Sequence, residues 1–210
     1  MIELELKYEL DKIPDPIKNL KVIKEKRQED IYYDTPEYDL LRNGNFLRIR
    51  DGKRLEFKLF AGDTSHLFCQ ETDFNLDEIE SNKEKINSLI ASINLKTVKE
   101  LASFEQLLKI NHLKVLSPIV KHRISYEFNE YSTISVDNVD NLGLFLEAEI
   151  MIDNNSLSNA KGDLIKKTFV KDLQSAKILT ENEKPVNIGY VELYLLKYNI
   201  EAYNLGIYKL

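Results

Sequence analysis

The sequence predicts an α+β fold: an eight-stranded antiparallel β-barrel with a charged interior and helices packed on the outside. Three observations predict it. Charged and apolar residues alternate in most of eight strand-like segments, both charge signs recur on one parity of those segments, and the helical segments between them carry apolar faces that need a partner.

The elements follow in order. Glu3, Glu5 and Lys7 alternate with Ile2, Leu4 and Leu6 in the opening strand. Pro14-Asp15-Pro16 begins a short helix with Ile17, Leu20 and Ile23 at helical spacing. A strand over 29–33 ends at Asp34-Thr35-Pro36, and Asn43-Gly44-Asn45 turns the chain into Phe46-Leu47-Arg48-Ile49-Arg50. Asp51-Gly52 is a two-residue hairpin turn into the next run, where Arg54, Glu56 and Lys58 alternate with Leu55, Phe57 and Leu59. Another strand covers 67–74, with Glu71 and Asp73 two apart. Helices are expected over 77–92 and 98–110, the second with Leu101, Phe104, Leu107 and Leu108 on one face. Strands resume over 115–128, 133–139 and 145–152, with a turn at Asn141 to Gly143. They carry Lys121 and Arg123, Ser135 and Asp137, and Glu147 and Glu149 on one parity. Helices over 156–178 and 188–199 and a tail with Tyr203 and Tyr208 complete the chain. No low-complexity linker divides it, so residues 1–210 read as a single domain.

Composition excludes several classes. Hydrophobic residues make up 43% and charged residues 30%, as in an ordinary soluble protein. A net charge of −6 does not suit a general nucleic-acid binder, so no nucleic-acid partner is expected. The sole cysteine, Cys69, has no internal disulfide partner, which points to a cytoplasmic protein, and it reads as a packed, inert thiol rather than a nucleophile. The charged opening residues argue against a signal peptide, and no apolar run approaches the ~18 residues that span a bilayer, so no membrane partner is expected. Homodimerisation is left open.

In most small barrels the apolar parity points inward. Here the helices need apolar surface, and only the greasy parity of the strands supplies it, so the charged parity is turned to the interior. Unpaired buried charge costs about several kcal/mol per ion, so such an interior needs cross-lumen pairs, water and a ligand that is both anionic and metal-bound. Polyphosphate with a divalent cation fits: Arg and Lys grip phosphate oxygens while carboxylates hold the metal.

Glu3-Leu4-Glu5-Leu6-Lys7 resembles the N-terminal ExExK signature of the CYTH superfamily, the triphosphate tunnel metalloenzymes, which joins class IV adenylyl cyclases with thiamine triphosphatases. Tyr32-Tyr33-Asp34-Thr35-Pro36, Leu47-Arg48-Ile49-Arg50, the Lys58 strand, Glu71, Lys121-His122-Arg123, Ser135-Val136-Asp137 and Leu142 to Glu149 fall in the same order as the superfamily's motifs. The resemblance implies an eight-stranded antiparallel tunnel. It implies triphosphate binding by Lys7, Arg48, Arg50, Lys58 and Arg123, with Lys121 as a further phosphate contact or an aid to the leaving group. It also implies coordination of Mg²⁺ or Mn²⁺ by Asp137, Glu147 and Glu149. Glu3 and Glu5 would help hold a metal or position the attacking water, and Glu71 and Asp73 have a similar, less settled role. Arg54 and Glu56 share the inward parity and fit a cross-lumen ion pair at least as well as the motif.

The implied reaction is hydrolysis of a triphosphate, be it inorganic tripolyphosphate, thiamine triphosphate or a nucleoside triphosphate. The rivals are cyclisation of ATP to cyclic AMP and pyrophosphate, and a non-catalytic module that captures polyphosphate. The Tyr32 to Pro36 and Leu41 to Phe46 stretches look more like the triphosphatase branches. Tyr8, Tyr32 and Tyr33 are candidates to stack on a substrate ring or to pack outward. His66 and His112 fall near element ends or loops and His122 has outward parity, so all three read as structural or exposed.

Overall fold

The computed structural model describes residues 2–60, 69–152, 159–181 and 183–210. Eight strands form one ladder in the order β1-β8-β7-β6-β2-β3-β4-β5, and every pairing with a described register is antiparallel. They are β1 (Ile2–Leu10), β2 (Lys21–Asp34), β3 (Phe46–Arg50), β4 (Arg54–Phe60), β5 (Cys69–Asn75), β6 (Lys114–Asn129), β7 (Ser132–Val139) and β8 (Gly143–Ile152). Six helices accompany them: α1 (Asp39–Arg42), α2 (Lys83–Ser92), α3 (Phe104–Ile110), α4 (Asn159–Ser175), α5 (Tyr190–Tyr198) and α6 (Ile200–Leu205). The expected eight strands are therefore present, in a ladder with β1 and β5 at its ends. The described chain forms two compact units, residues 1–27 with 121–187 and residues 28–120 with 188–210. The long strands β2 and β6 run through both.

In the first unit, Leu4, Leu6, Tyr8 and Leu10 of β1 lie on one face with Tyr126, Ile134, Val136, Leu146 and Ala148. Phe169 and Leu173 of α4 cover that face, with Ile178 and Leu179 beyond the helix. Because side chains alternate along a strand, burying this set turns Glu5, Lys7, Arg123, Asp137, Glu147 and Glu149 to the opposite face. The second unit repeats the arrangement. Leu47, Ile49, Leu55, Phe57 and Phe74 pack with Ile86 and Ile90 of α2 and Phe104 and Leu107 of α3, leaving Arg48, Arg50, Arg54, Glu56 and Lys58 on the other face. The expected inversion, apolar parity toward the helices and charged parity away from them, is what each unit shows.

Several boundaries differ from the sequence expectation. The helix expected after Pro14 is a single 3-10 turn, Asp15–Asn19, and only Ile17 of its expected stripe is fully buried. The chain is already extended at Lys21, so β2 is nine residues longer than the strand expected over 29–33, and Ile23 belongs to it. The helix expected over 98–110 starts at Phe104, where Ser103 and Gln106 form a capping box. Within 77–92 only Lys83–Ser92 is α-helical. Asp51 and Gly52 both adopt positive φ (54° and 63°), and the Lys53 N–H donates to the Arg50 carbonyl at 3.0 Å, as an Asp-Gly turn requires. Tyr203 and Tyr208 of the expected tail are both buried. His66 lies outside the described residues. Among the described residues no helix is long and apolar enough to cross a membrane.

One polar contact closes β2. Asp34 is buried and accepts hydrogen bonds from the backbone N–H groups of Thr35 (2.7 Å), Leu40 (2.9 Å) and Leu41 (2.9 Å), which ties the loop to the first turn of α1. Burial pushes its carboxyl up to about 6, although the three donors pull the other way. The native state thus holds a proton that the unfolded chain has released between about pH 4 and 6. Stability from this group falls as pH rises through that window. Urea unfolding of the protein and of Asp34→Asn across pH 4–7 is expected to show a relative loss of up to about 3 kcal/mol in the unsubstituted protein, absent in the variant. In the first unit Phe169 is 2% exposed and packs against Phe128. Phe169→Ala is expected to lower the unfolding free energy by about 3–5 kcal/mol, read from the same titration at fixed pH.

Candidate active site

The charged face of the first unit is built by register. Lys7 stands opposite Glu147 and Glu5 opposite Glu149 across β1 and β8. Ser135 and Thr133 of β7 stand opposite the same two glutamates, and Arg123 of β6 stands opposite Asp137. The Lys7 ammonium lies 3.0 Å from Glu5 and 3.2 Å from Glu147, and its side chain is buried. Arg123 donates to both oxygens of Asp137 at 2.6 Å, pairs with Glu147, and has Glu149 at 3.7 Å. Lys121 donates to Asp137 at 2.7 Å. Thr133 donates its hydroxyl to Glu149 at 3.3 Å.

Three of the expected metal ligands converge here. Carboxylate oxygens of Glu5, Glu147 and Glu149 lie within 4.8 Å of one another. An all-oxygen set of this kind suits a hard divalent cation, and the Lys7 and Arg123 cations stand beside it. Asp137 stands outside this set. It is 0% exposed, and Lys121 and Arg123 pair with both of its oxygens. Glu3 stands opposite Met151 in the β1–β8 ladder.

The second unit carries the remaining expected residues. Asp30 pairs with Arg50 at 2.7 and 3.1 Å, has Arg48 at 3.5 Å and accepts from the Gln28 amide at 2.8 Å. Burial works against the Asp30 carboxylate, but the guanidinium of Arg48 and the hydrogen bond from Arg50 outweigh it and hold the group below its usual range. Arg48 also donates to the Tyr32 hydroxyl at 2.6 Å and lies over that ring at 5.5 Å. Lys58 pairs with Glu71 at 3.3 Å, and Arg54 lies 3.7 Å from Asp73. Partial loss of water acts against the charged form of Glu71, although its side chain is 57% exposed, and Lys58 and Arg48 reverse it, so its pKa is lowered. Arg48, Arg50, Arg54, Lys58 and Glu56 line a cavity of about 160 Å³ with Tyr32 and Phe46 at one side. Phe46 is edge-on to Tyr32 and stacked on Tyr208. Arg54 and Glu56 do pair, at 2.8 Å, but as neighbours along β4.

The structure thus gathers Glu5, Lys7, Lys121, Arg123, Asp137, Glu147 and Glu149 on one face, and Arg48, Arg50, Lys58, Glu71 and Asp73 on another. Sequence reasoning missed Gln28 and Asp30. Gln28, Asp30, Tyr32 and Asp34 are all buried at period two, but Lys24 to Asp30 is polar on both parities, so alternation did not set Gln28 and Asp30 apart. Of the ring-stacking candidates, Tyr8 is core and Tyr33 packs on Phe104, so Tyr32 alone of the three reaches the cavity. His122 is exposed and pairs with Glu25 at 3.0 Å, as its parity suggests.

Several known proteins are similar to this chain. A Methanocaldococcus jannaschii protein named "Putative adenylate cyclase MJ0240" is 30% identical over 198 residues, 92% of this chain and 98% of its own length. The PH1819 protein from Pyrococcus horikoshii OT3 superposes with a TM-score of 0.62 at 24% identity, covering 93% of this chain and 99% of its own. HpAC1 from Hippeastrum, named as an adenylyl cyclase and described as having a dominant triphosphatase activity, gives a TM-score of 0.61 at 15% identity, covering 95% and 97%. The model of the CYTH domain matches residues 1–177, a span that enters both units and holds every charged strand just described. The chain therefore belongs to the CYTH family.

Proposed function

We propose that this protein hydrolyses a triphosphate with Mg²⁺ or Mn²⁺ as cofactor. The observation that carries the proposal is the convergence of Glu5, Glu147 and Glu149 beside Lys7 and Arg123: a cation site with phosphate-binding bases against it. A divalent ion bound there would draw charge from the phosphate oxygens. The chain's own residues do the rest. Lys7 and Arg123 exchange carboxylate partners for phosphate oxygens, and Lys121, held by Asp137, steadies charge on the leaving group. Glu5, less buried than Glu147, orients the attacking water, a role shared with Glu3. Arg48, Arg50 and Lys58 bind phosphate oxygens in the cavity of the second unit, the two guanidiniums giving up carboxylate partners to do so. Phosphoryl transfer needs positioning and charge stabilisation more than covalent help from the protein, which agrees with a site made of ion pairs.

Cyclisation of ATP is the second reading, favoured by the 30% identity to the protein named as an adenylate cyclase. The same fold in the Hippeastrum protein is associated with triphosphatase activity, and the residues here need no change to serve either reaction.

Phosphate release from tripolyphosphate, thiamine triphosphate and ATP, with chromatography of the ATP products, separates the two. Orthophosphate is expected with Mg²⁺ or Mn²⁺ and not with excess chelator, and Glu147→Gln is expected to lower kcat roughly 100-fold or more. Arg48→Ala is expected to raise KM by about tenfold or more with a smaller change in kcat. Cyclic AMP and pyrophosphate without orthophosphate would overturn hydrolysis.

A further inference from the structure

The cavity of the second unit contains a carboxylate where an anion would be expected to bind. Glu56 Oε2 accepts from Arg48 Nε at 2.8 Å and lies 2.6 Å from Arg48 Nη2 and 3.2 Å from Arg50 Nη1. Its Oε1 lies 2.8 Å from Arg54 Nη2, yet accepts no hydrogen bond there because the groups are misaligned. Three guanidiniums therefore converge on one buried side chain, an arrangement that matches phosphate as well as carboxylate.

Asp30, the other buried acid of this face, behaves differently. Both of its oxygens are hydrogen-bonded, by Arg50 and Gln28, and it does not line the cavity. Glu56 does line it and leaves one oxygen without a hydrogen bond. Here the carboxylate is aligned with Arg48 and not with Arg54, whereas a tetrahedral phosphate offers oxygens in more directions. Of the two acids, Glu56 is therefore the one that an entering anion can replace.

We propose that Glu56 is an internal counter-anion. It neutralises the Arg48, Arg50 and Arg54 cluster in the unliganded protein, gives these groups up to a phosphate, and so sets the affinity threshold of the cavity. The proposal rests on the reading of this cavity as a phosphate site. It makes Glu56 a specificity-determining residue: a weakly charged anion does not displace it, and a polyphosphate that engages several guanidiniums at once does.

The test is calorimetric titration of tripolyphosphate into the protein in chelator, so that binding alone is read. Glu56→Gln and Glu56→Ala are compared with Arg48→Ala and Arg50→Ala, with circular dichroism to establish that each variant is folded. Glu56→Ala is included because an amide facing three donors can itself disturb the cluster. Removing one negative charge a few ångströms from the guest is expected to tighten binding by roughly ten- to a hundredfold in folded Glu56 variants, while the arginine variants weaken it. Unchanged or weaker binding in both Glu56 variants, with the arginine variants still weakened, would overturn the proposal and leave the phosphate site standing. Binding unaffected by loss of Arg48 or Arg50 would overturn the phosphate site, and the proposal with it.

Discussion

Charge placed on a sheet face away from bulk water must be neutralised where it stands, and the organisation of both units follows from that constraint. Asp137 shows it most sharply: it is fully buried, and Lys121 and Arg123 close on it from the neighbouring strand. Remove the bases and a buried carboxylate loses two charge partners; remove the acid and Lys121 and Arg123 each lose one. Alternation along the strands supplies these partners automatically, since antiparallel register sets Arg123 against Asp137, Lys7 against Glu147 and Arg48 against Glu56. The helices then need only cover the other face, which Phe169, Ile86, Ile90 and Leu107 do.

The same pairing gives the faces different chemical leanings. In the first unit, carboxylate oxygens of Glu5, Glu147 and Glu149 lie within 4.8 Å of one another, with Lys7 and Arg123 beside them. In the second, the guanidiniums converge on Glu56, while Glu71 and Asp73 stand more than half exposed at 57% and 59%. A face of matched pairs is near neutral at rest, and a metal-bound polyphosphate brings both signs of charge to it. Exchange of one set of ion pairs for another costs less than exposing bare charge, which is how such a surface can be stable unliganded and still bind tightly.

Much of this was legible in the sequence because period-two alternation is a one-to-one map from residue number to face. It placed Glu5, Lys7, Arg48, Arg50, Lys58, Arg123, Asp137, Glu147 and Glu149 on the charged faces, and the family resemblance supplied the chemistry. It failed where both parities are polar: Lys24 to Asp30 carries charge or amide at every position, so neither the length of β2 nor the inward set Gln28 and Asp30 stood out. The short stripe Ile17, Leu20, Ile23 mimicked a helix because three apolar residues cannot distinguish a turn followed by a strand from two helical turns. The grouping within the acidic set, with Asp137 against Lys121 and Arg123 and the oxygens of Glu5, Glu147 and Glu149 close together, depends on which side chains meet across strands, and spacing along one strand does not contain that.

The claim on which the account turns is that Glu5, Glu147 and Glu149 hold a divalent cation. Titration of Mn²⁺ into the protein, followed by loss of the electron paramagnetic resonance signal of the free ion, tests it without assuming a substrate. Saturable binding that weakens by roughly tenfold or more in Glu149→Gln is the expected result. Binding of equal strength in the variant, or none in the unsubstituted protein, would contradict the account.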